Sequence, residues 1–152
     1  VCILQRDRHK NIIDGLNKMK VKIKFISDGD VSGAIYVVDK ESPVDLYLGI
    51  GGAPEGVLAA AALSCLGGQM QTRLFLNDSE IARANKMGIK DVKKKFDIDE
   101  MIKGDIMFCA SGVTNGDLVK GVKDIGDSYE VSTFALHKDS KTIKKITNTH
   151  NK

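Results

Sequence analysis

The sequence predicts a mixed α/β fold: a mostly parallel sheet flanked by helices, with an antiparallel hairpin near the end of the chain. Three observations lead to this prediction. Apolar runs alternate with helical patterns over residues 1–90, which is typical of β–α–β units and parallel strands. Strand-like segments at 131–137 and 142–148 are joined by four polar residues, which indicates a hairpin. A length of 152 residues, 42% of them hydrophobic, suits a single domain with its own core.

Strands and helices alternate in the first part of the chain. The predicted strands lie at 1–4, 21–26 and 44–50. The first is an apolar run, the second alternates apolar residues with lysine, and the third follows the break at Ser42-Pro43. A helix is predicted at 7–20, where apolar residues recur at helical spacing. A short helix is predicted up to Val38, with Asp30 or Ser32 as its N-cap.

Glycine and proline mark the limits of several later elements. Gly51-Gly52-Ala53-Pro54 turns the chain into a helix of small residues at 55–65, and Gly67-Gly68 ends that helix. A further helix is predicted from Asn77 or Ser79 to about Gly88. The other predicted elements are a strand at 69–76, a weak helix at 99–103, a strand at 106–110 and the hairpin strands.

The composition argues against several classes of protein. A net charge of +3, with 5% aromatic residues and no Trp, argues against a nucleic-acid partner. No apolar run is long enough to cross a membrane. Three separated cysteines without a CxxC pair are typical of reduced thiols, so we expect a cytoplasmic protein. The three histidines are scattered and show no zinc-site spacing. Because Val1 already belongs to a strand-like run, we expect the chain to be a piece of a longer polypeptide.

Polar or glycine-rich loops follow four of the predicted strands. These loops lie at 6–9, 27–30, 49–56 and 111–117. Ligands bind beyond the carboxyl ends of parallel strands in open α/β sheets. We therefore expect the four loops to meet at one edge of the sheet and to form one small-molecule site.

The glycine-rich loop at 49–56 carries the sharpest signal. Its glycines permit a close approach of ligand to backbone, and the helix N-terminus that follows attracts phosphate. Glu55 places a carboxylate in the same turn. That carboxylate either complements the helix dipole or, beside a phosphate, indicates a bridging Mg²⁺ or Mn²⁺ ion. The loop matches neither the P-loop nor the GxGxxG pattern.

The two earlier loops carry charged side chains, each with two interpretations. Arg6 and Arg8, on either side of Asp7, either bind one phosphate with their guanidinium groups or form a solvated helix start. Asp28 and Asp30 either accept hydrogen bonds from sugar hydroxyls or form an N-cap beside a glycine turn. Neither loop decides the question alone.

Together, the loops closely resemble those of class II fructose-1,6-bisphosphatases. The matching segments are Arg6-Asp7-Arg8-His9, Ser27-Asp28-Gly29-Asp30-Val31, Gly49-Ile50-Gly51-Gly52-Ala53-Pro54-Glu55-Gly56 and Gly112-Val113-Thr114-Asn115-Gly116-Asp117. The resemblance covers essentially the whole chain, and it is to the carboxyl-terminal half of that enzyme. It implies a sugar-phosphatase fold, a Mn²⁺ or Mg²⁺ cofactor, and hydrolysis of the 1-phosphate of fructose 1,6-bisphosphate in gluconeogenesis. Some relatives also act on sedoheptulose 1,7-bisphosphate.

The resemblance also implies roles for individual residues. Glu55 would be the catalytic residue and a metal ligand, while Gly52 would contact the substrate. The other residues expected to bind the substrate are Arg6, Asp7, Arg8, Asp28, Gly29 and Asp30. The family's DPxDGT-type motif and its further acidic metal ligands do not occur in this sequence. We therefore expect the isolated chain to be inactive, and the full-length protein, with an amino-terminal metal-binding half, to be active and homo-oligomeric.

Two other functions stay open. The chain resembles a phosphatase superfamily whose members also act on other sugar or inositol phosphates, and a panel of substrates would separate these. A phosphosugar-binding or regulatory module without catalysis is the second alternative. Such a module would bind its ligand without a metal ion, which calorimetry would detect.

Overall fold

The beginning of the chain forms a small parallel sheet. The computed structural model describes residues 1–152. The strand β1 (Cys2–Leu4) pairs in parallel with β2 (Lys24–Ile26). On the other edge of β1, Cys2 forms an isolated parallel bridge with Tyr47. This bridge includes hydrogen bonds of 2.8 Å from Cys2 N to Leu46 O and 3.1 Å from Leu48 N to Cys2 O. The buried strand β1 therefore lies between two parallel partners.

Five α-helices accompany the strands. They are α1 (Lys10–Lys18), α2 (Asp30–Ile35), α3 (Ala53–Leu66), α4 (Asp78–Lys86) and α5 (Ile98–Met101). A 3₁₀ turn at Asp7–His9 precedes α1. Asn77 caps α4 in a capping box with Glu80, and Gly67 ends α3 with a φ of 74°. None of the helices combines the length and the apolar character needed to cross a bilayer.

The remaining strands are paired antiparallel. The strand β3 (Gln71–Arg73) pairs with β4 (Lys95–Asp97). A third sheet is built around the long strand β7 (Ser128–His137). One edge of β7 carries β5 (Met107–Ser111) and β6 (Lys123–Asp124), and the other carries β8 (Thr142–Asn151).

The core lies between the helices α2 and α3 and the third sheet. Ile35 and Ala62 pack against Phe108, Phe134 and Leu136, and all five side chains are buried. A second cluster joins α2 to α3 and consists of Ala34, Ala59 and Leu63. The alanines let the helices approach closely, so this packing fixes the position of α3 and of the loop that leads into it.

The predicted mixed α/β class and the hairpin are confirmed. The expected mostly parallel sheet is corrected, because parallel pairing is confined to β1 with β2 and Tyr47, and the other strand pairs are antiparallel. The predicted strand at 44–50 is reduced to the bridge at Tyr47. The alternation of strands and helices identifies strands but not their partners, which depend on packing between distant segments.

Candidate functional site

Three loops meet beyond the carboxyl ends of the parallel strands. They follow β1, β2 and the segment around Tyr47. Together with the first turns of α2 and α3, they enclose a pocket of about 390 Å³. The lining residues are Leu4, Arg6, Arg8, Asp28, Gly29, Asp30, Val31, Ser32, Gly51, Gly52 and Glu55. Only Leu4 and Val31 among them are apolar, so the pocket suits a polar or charged small molecule.

Most of the predicted site residues line this pocket. They are Arg6, Arg8, Asp28, Gly29, Asp30, Gly52 and Glu55. Asp7 is the exception, because it begins the 3₁₀ turn with an exposed side chain that does not line the pocket. The loop at 112–117 does not line the pocket either. It follows β5 in the antiparallel sheet, so the expected convergence of four loops is corrected to three.

The two arginines are held by backbone oxygens and not by carboxylates. Arg6 donates from Nη2 to Ser27 O at 2.6 Å, and Arg8 donates from Nε to Ile50 O at 2.5 Å. The ion pairs of the chain all lie elsewhere. Each guanidinium group is thus anchored to a neighbouring loop while several of its N–H donors stay available to an anion.

His9 is the one buried polar side chain of the protein, and sequence reasoning gave it no role. Its Nδ1 lies 2.8 Å from Leu4 O, at the end of β1. Its Nε2 lies 2.8 Å from Ile50 N and 3.1 Å from Ile50 O, in the glycine loop. The sequence feature that could have indicated a role is the position of His9 directly after Arg8. The imidazole joins two of the three loops that form the pocket.

The acidic residues of the loop after β2 are positioned by a turn at Gly29. Gly29 has a φ of 85°, a left-handed conformation that favours glycine, and its N–H donates to Asp28 Oδ1 at 2.8 Å. Asp30 then starts α2. A β-carbon built on Gly51 would lie 3.0 Å from Asp30 Oδ2. The Asp30 carboxylate is therefore close against the glycine loop, at a place where a larger residue would crowd it.

Gly52 and Glu55 form the start of α3. Gly52 is the N-cap residue, and Glu55 lies in the first helical turn. A β-carbon on Gly52 would overlap Glu55 Oε2. The Glu55 carboxylate thus folds back over the backbone of Gly52, beside the free N–H groups of the helix terminus. The missing side chain at Gly52 makes room for that carboxylate.

Tyr47 borders the site without a predicted role. Its ring packs against Gly33, where a β-carbon would lie 2.7 Å from Tyr47 Cε2. The pKa of the Tyr47 hydroxyl is raised well above its usual range, chiefly by burial and then by the charge of Asp30, while Arg8 acts in the opposite direction. Tyr47 also lines a second groove of about 380 Å³ that shares Asp30 and Glu55 with the pocket. The phenol therefore stays neutral and lines the groove beside the pocket.

The pocket holds the carboxylates of Asp28, Asp30 and Glu55. Carboxylate oxygens are ligands that Mg²⁺ and Mn²⁺ prefer. The chain contains no group of three or more His, Cys, Asp or Glu side chains arranged to hold an ion. It therefore offers oxygen donors to a divalent ion but not a complete coordination site.

The chain matches a known protein family and several curated relatives. A family model described as bacterial fructose-1,6-bisphosphatase, glpX-encoded, matches residues 1–150. The chain is 36% identical to the class 2 fructose-1,6-bisphosphatase of Haemophilus influenzae, over 99% of this chain and 49% of that protein. It is 33% identical to the D-fructose 1,6-bisphosphatase class 2/sedoheptulose 1,7-bisphosphatase of Synechococcus elongatus, over 99% of this chain and 48% of that protein. The chain spans about half the length of the curated relatives it matches.

Proposed function

The chain belongs to the family of glpX-encoded bacterial fructose-1,6-bisphosphatases, and we propose that it forms part of a metal-dependent phosphatase acting on fructose 1,6-bisphosphate. Water hydrolyses the 1-phosphate ester in the proposed reaction, which releases fructose 6-phosphate and inorganic phosphate. The observation that carries this proposal is the pocket in which two arginines without carboxylate partners lie beside three carboxylates and a glycine loop. Sedoheptulose 1,7-bisphosphate is a second proposed substrate, because two Synechococcus relatives are named as bisphosphatases for both sugars.

Arg6 and Arg8 are the proposed binding residues for the phosphate that is not cleaved, at C6 of the sugar. Their anchored guanidinium groups present fixed N–H donors, which match the oxygens of a phosphate. Because this phosphate stays bound throughout the reaction, the two arginines contribute equally to binding of the substrate and of the transition state. Their loss should therefore act mainly on KM.

The acidic loop and the glycines are proposed to bind the sugar. The carboxylates of Asp28 and Asp30 accept hydrogen bonds from hydroxyl groups, and Gly29 and Gly52 let the ligand approach the backbone. A carboxylate that accepts from a hydroxyl fixes the orientation of the sugar, which places the 1-phosphate towards the start of α3. Asp7 has no part in this proposal, because it does not line the pocket.

Glu55 is the proposed catalytic residue, as one oxygen ligand of a divalent Mn²⁺ or Mg²⁺ ion. When bound, such an ion neutralises phosphate charge and supplies a water of lowered pKa. The pocket lacks a complete ligand set, so the other ligands would come from residues outside 1–152. We accordingly propose that residues 1–152 alone do not hydrolyse the substrate. A cytoplasmic role in gluconeogenesis and a homo-oligomeric state stay predictions.

Phosphate release from fructose 1,6-bisphosphate with Mn²⁺ tests this proposal. The natural polypeptide that contains these residues is compared with its Glu55→Gln variant and with Glu41→Gln, whose exposed side chain lies outside the pocket. We expect Glu55→Gln to lower kcat by about 100-fold or more and to weaken the dependence on Mn²⁺. Glu41→Gln should match the unmodified protein. Activity in the unmodified protein with no loss in Glu55→Gln would exclude Glu55 from the metal site.

A phosphosugar-binding module is the second candidate, because the arginines and carboxylates proposed to bind the bisphosphate line one pocket within residues 1–152. Calorimetry of fructose 1,6-bisphosphate binding, with and without Mn²⁺, separates the two. A phosphatase site should bind the bisphosphate more tightly when the ion is present. Metal-independent binding by the natural polypeptide, with no phosphate released, would contradict the phosphatase function and support the binding module.

A further inference from the structure

The two nitrogens of the His9 ring contact the backbone of two separate segments. The ring is fully buried, and it lies between Leu4 at the end of β1 and Ile50 in the glycine loop. A neutral ring with its proton on Nδ1 donates to Leu4 O and accepts from Ile50 N, both at 2.8 Å. With the proton on Nε2, the ring would donate only to Ile50 O, at the longer distance of 3.1 Å. Two acceptors would then face each other at Leu4 O, and the hydrogen bond from Ile50 N would be lost. The contacts thus favour the first form.

The peptide groups on both sides of Ile50 are held by consecutive side chains. His9 Nε2 accepts from Ile50 N, and Arg8 Nε donates to Ile50 O. The next residues along the chain are Gly51, which borders Asp30, and Gly52, which borders Glu55. The orientation of Ile50 therefore links the guanidinium group of Arg8 to the start of α3.

We infer that His9 is a positioning residue of the phosphatase site, which aligns Arg8 and the glycine loop through its hydrogen bond from Ile50 N. This inference rests on the proposed function. His9 itself does not line the pocket, so it touches no substrate and acts through the backbone. Loss of the hydrogen bond between His9 and Ile50 N should therefore weaken substrate affinity more than loss of the hydrogen bond between His9 and Leu4 O.

Two substitutions separate these hydrogen bonds. In His9→Gln, the amide oxygen reaches the place of Nε2 and accepts from Ile50 N, while the link to Leu4 is lost. In His9→Asn, the shorter amide reaches the place of Nδ1 and donates to Leu4 O, while the link to Ile50 is lost. Each variant removes one hydrogen bond at the same buried position, so each should lower the melting temperature by a similar amount.

The decisive measurement is KM for fructose 1,6-bisphosphate with Mn²⁺, in the natural polypeptide that contains these residues. We expect His9→Asn to raise KM by about tenfold and His9→Gln to keep it within about threefold, with His150→Gln on the exposed part of β8 as a control. A purely structural role would change KM equally in both variants, in proportion to the loss of stability. Equal KM values for the Asn and Gln variants would overturn the inference.

The outcome also separates this inference from the proposed function. If the unmodified protein releases no phosphate, the proposed function fails. The positioning role is then decided by the dissociation constant for fructose 1,6-bisphosphate from calorimetry, where the Asn variant should again be about tenfold weaker than the Gln variant. Absence of any binding by the unmodified protein would overturn both.

Discussion

The guanidinium group of Arg8 and the peptide of Ile50 are joined by a hydrogen bond of 2.5 Å from Nε to the carbonyl oxygen. These residues are 42 positions apart in the chain, and the bond joins Arg8 to the glycine loop. It uses the single N–H group of Arg8 Nε. The two terminal nitrogens of Arg8 keep their N–H groups for an anion.

Replacing Arg8 should weaken binding of the bisphosphate. We expect Arg8→Ala to raise KM by about 10- to 100-fold, because it removes charge-assisted hydrogen bonds to a phosphate, and to leave kcat within about threefold. Steady-state kinetics in the natural polypeptide check this. Arg83→Ala, on the exposed face of α4, is the matched control. An unchanged KM in Arg8→Ala would show that Arg8 does not bind the substrate.

Gly52→Ala should impair catalysis with little loss of stability. The added methyl group would overlap Glu55 Oε2, and a flexible carboxylate can move away at small cost. Displacement of a proposed metal ligand by about 1 Å is expected to lower kcat by about 100-fold. Gly56→Ala is the control, since a β-carbon there meets nothing within 4 Å. Kinetics and a melting curve for both variants decide the matter, and equal kcat values would contradict the proposed role of Glu55.

Replacement of two glycines by alanine should change the stability of the protein in opposite directions. At Gly33 in α2, a β-carbon would lie 2.7 Å from Tyr47 Cε2 and 2.9 Å from Ile26 Cδ1, so overpacking should cost about 1–3 kcal/mol. At Gly15 in α1, nothing lies within 4 Å, and alanine should stabilise the helix by about 0.5–1 kcal/mol. Urea unfolding of both variants measures these differences. A stabilised Gly33→Ala would contradict the packing described for Tyr47.

The pair of Asp105 and His137 should make the free energy of unfolding depend on pH in the acid range. His137 Nε2 donates to Asp105 Oδ2 at 2.6 Å, and this hydrogen bond is the main cause that lowers the pKa of Asp105 below its ordinary value of 3.8. The stabilisation is therefore complete above that value and is lost as the pH falls through the lower pKa of the folded state.

Asp105→Asn tests this dependence. The urea midpoint of the variant should lie below that of the unmodified protein at about pH 7, and the gap should close towards about pH 2.5. Asp14→Asn, at an exposed position of α1, should show no such trend. A gap that persists at the acid end would mean that the Asp105 carboxylate is not what stabilises the pair.

Pattern reasoning located the pocket because its chemistry is concentrated in short segments. Arg6 and Arg8 follow one strand directly, Asp28 and Asp30 follow the next, and Glu55 opens a helix after a glycine run. In parallel strands such segments meet at one edge. The same reasoning placed Asp117 at that edge wrongly. Asp117 follows an antiparallel strand and accepts a hydrogen bond of 2.6 Å from Tyr36 Oη.

Other relationships have no local signal in the chain. His9 and Ile50 are 41 positions apart, and nothing in either segment indicates that a buried imidazole joins them. The crowding of Tyr47 against Gly33 likewise has no signal in the segments that contain these two residues. Such contacts form only when distant strands pair. Pairing buries backbone N–H and C=O groups, and these groups then need hydrogen-bond partners.

Local sequence patterns were enough to predict the α/β class, the hairpin, the identity of the loops and the chemical types of side chain that line the pocket, because periodicity, capping residues and glycines act locally. The three-dimensional fold establishes that three loops and not four converge, that Asp7 does not line the pocket, and that His9 forms a hydrogen bond with the glycine loop. These features depend on which strands pair and which polar groups become buried together. Packing over the whole chain determines this pairing and burial, because the free energy of each contact depends on neighbours that are distant in sequence.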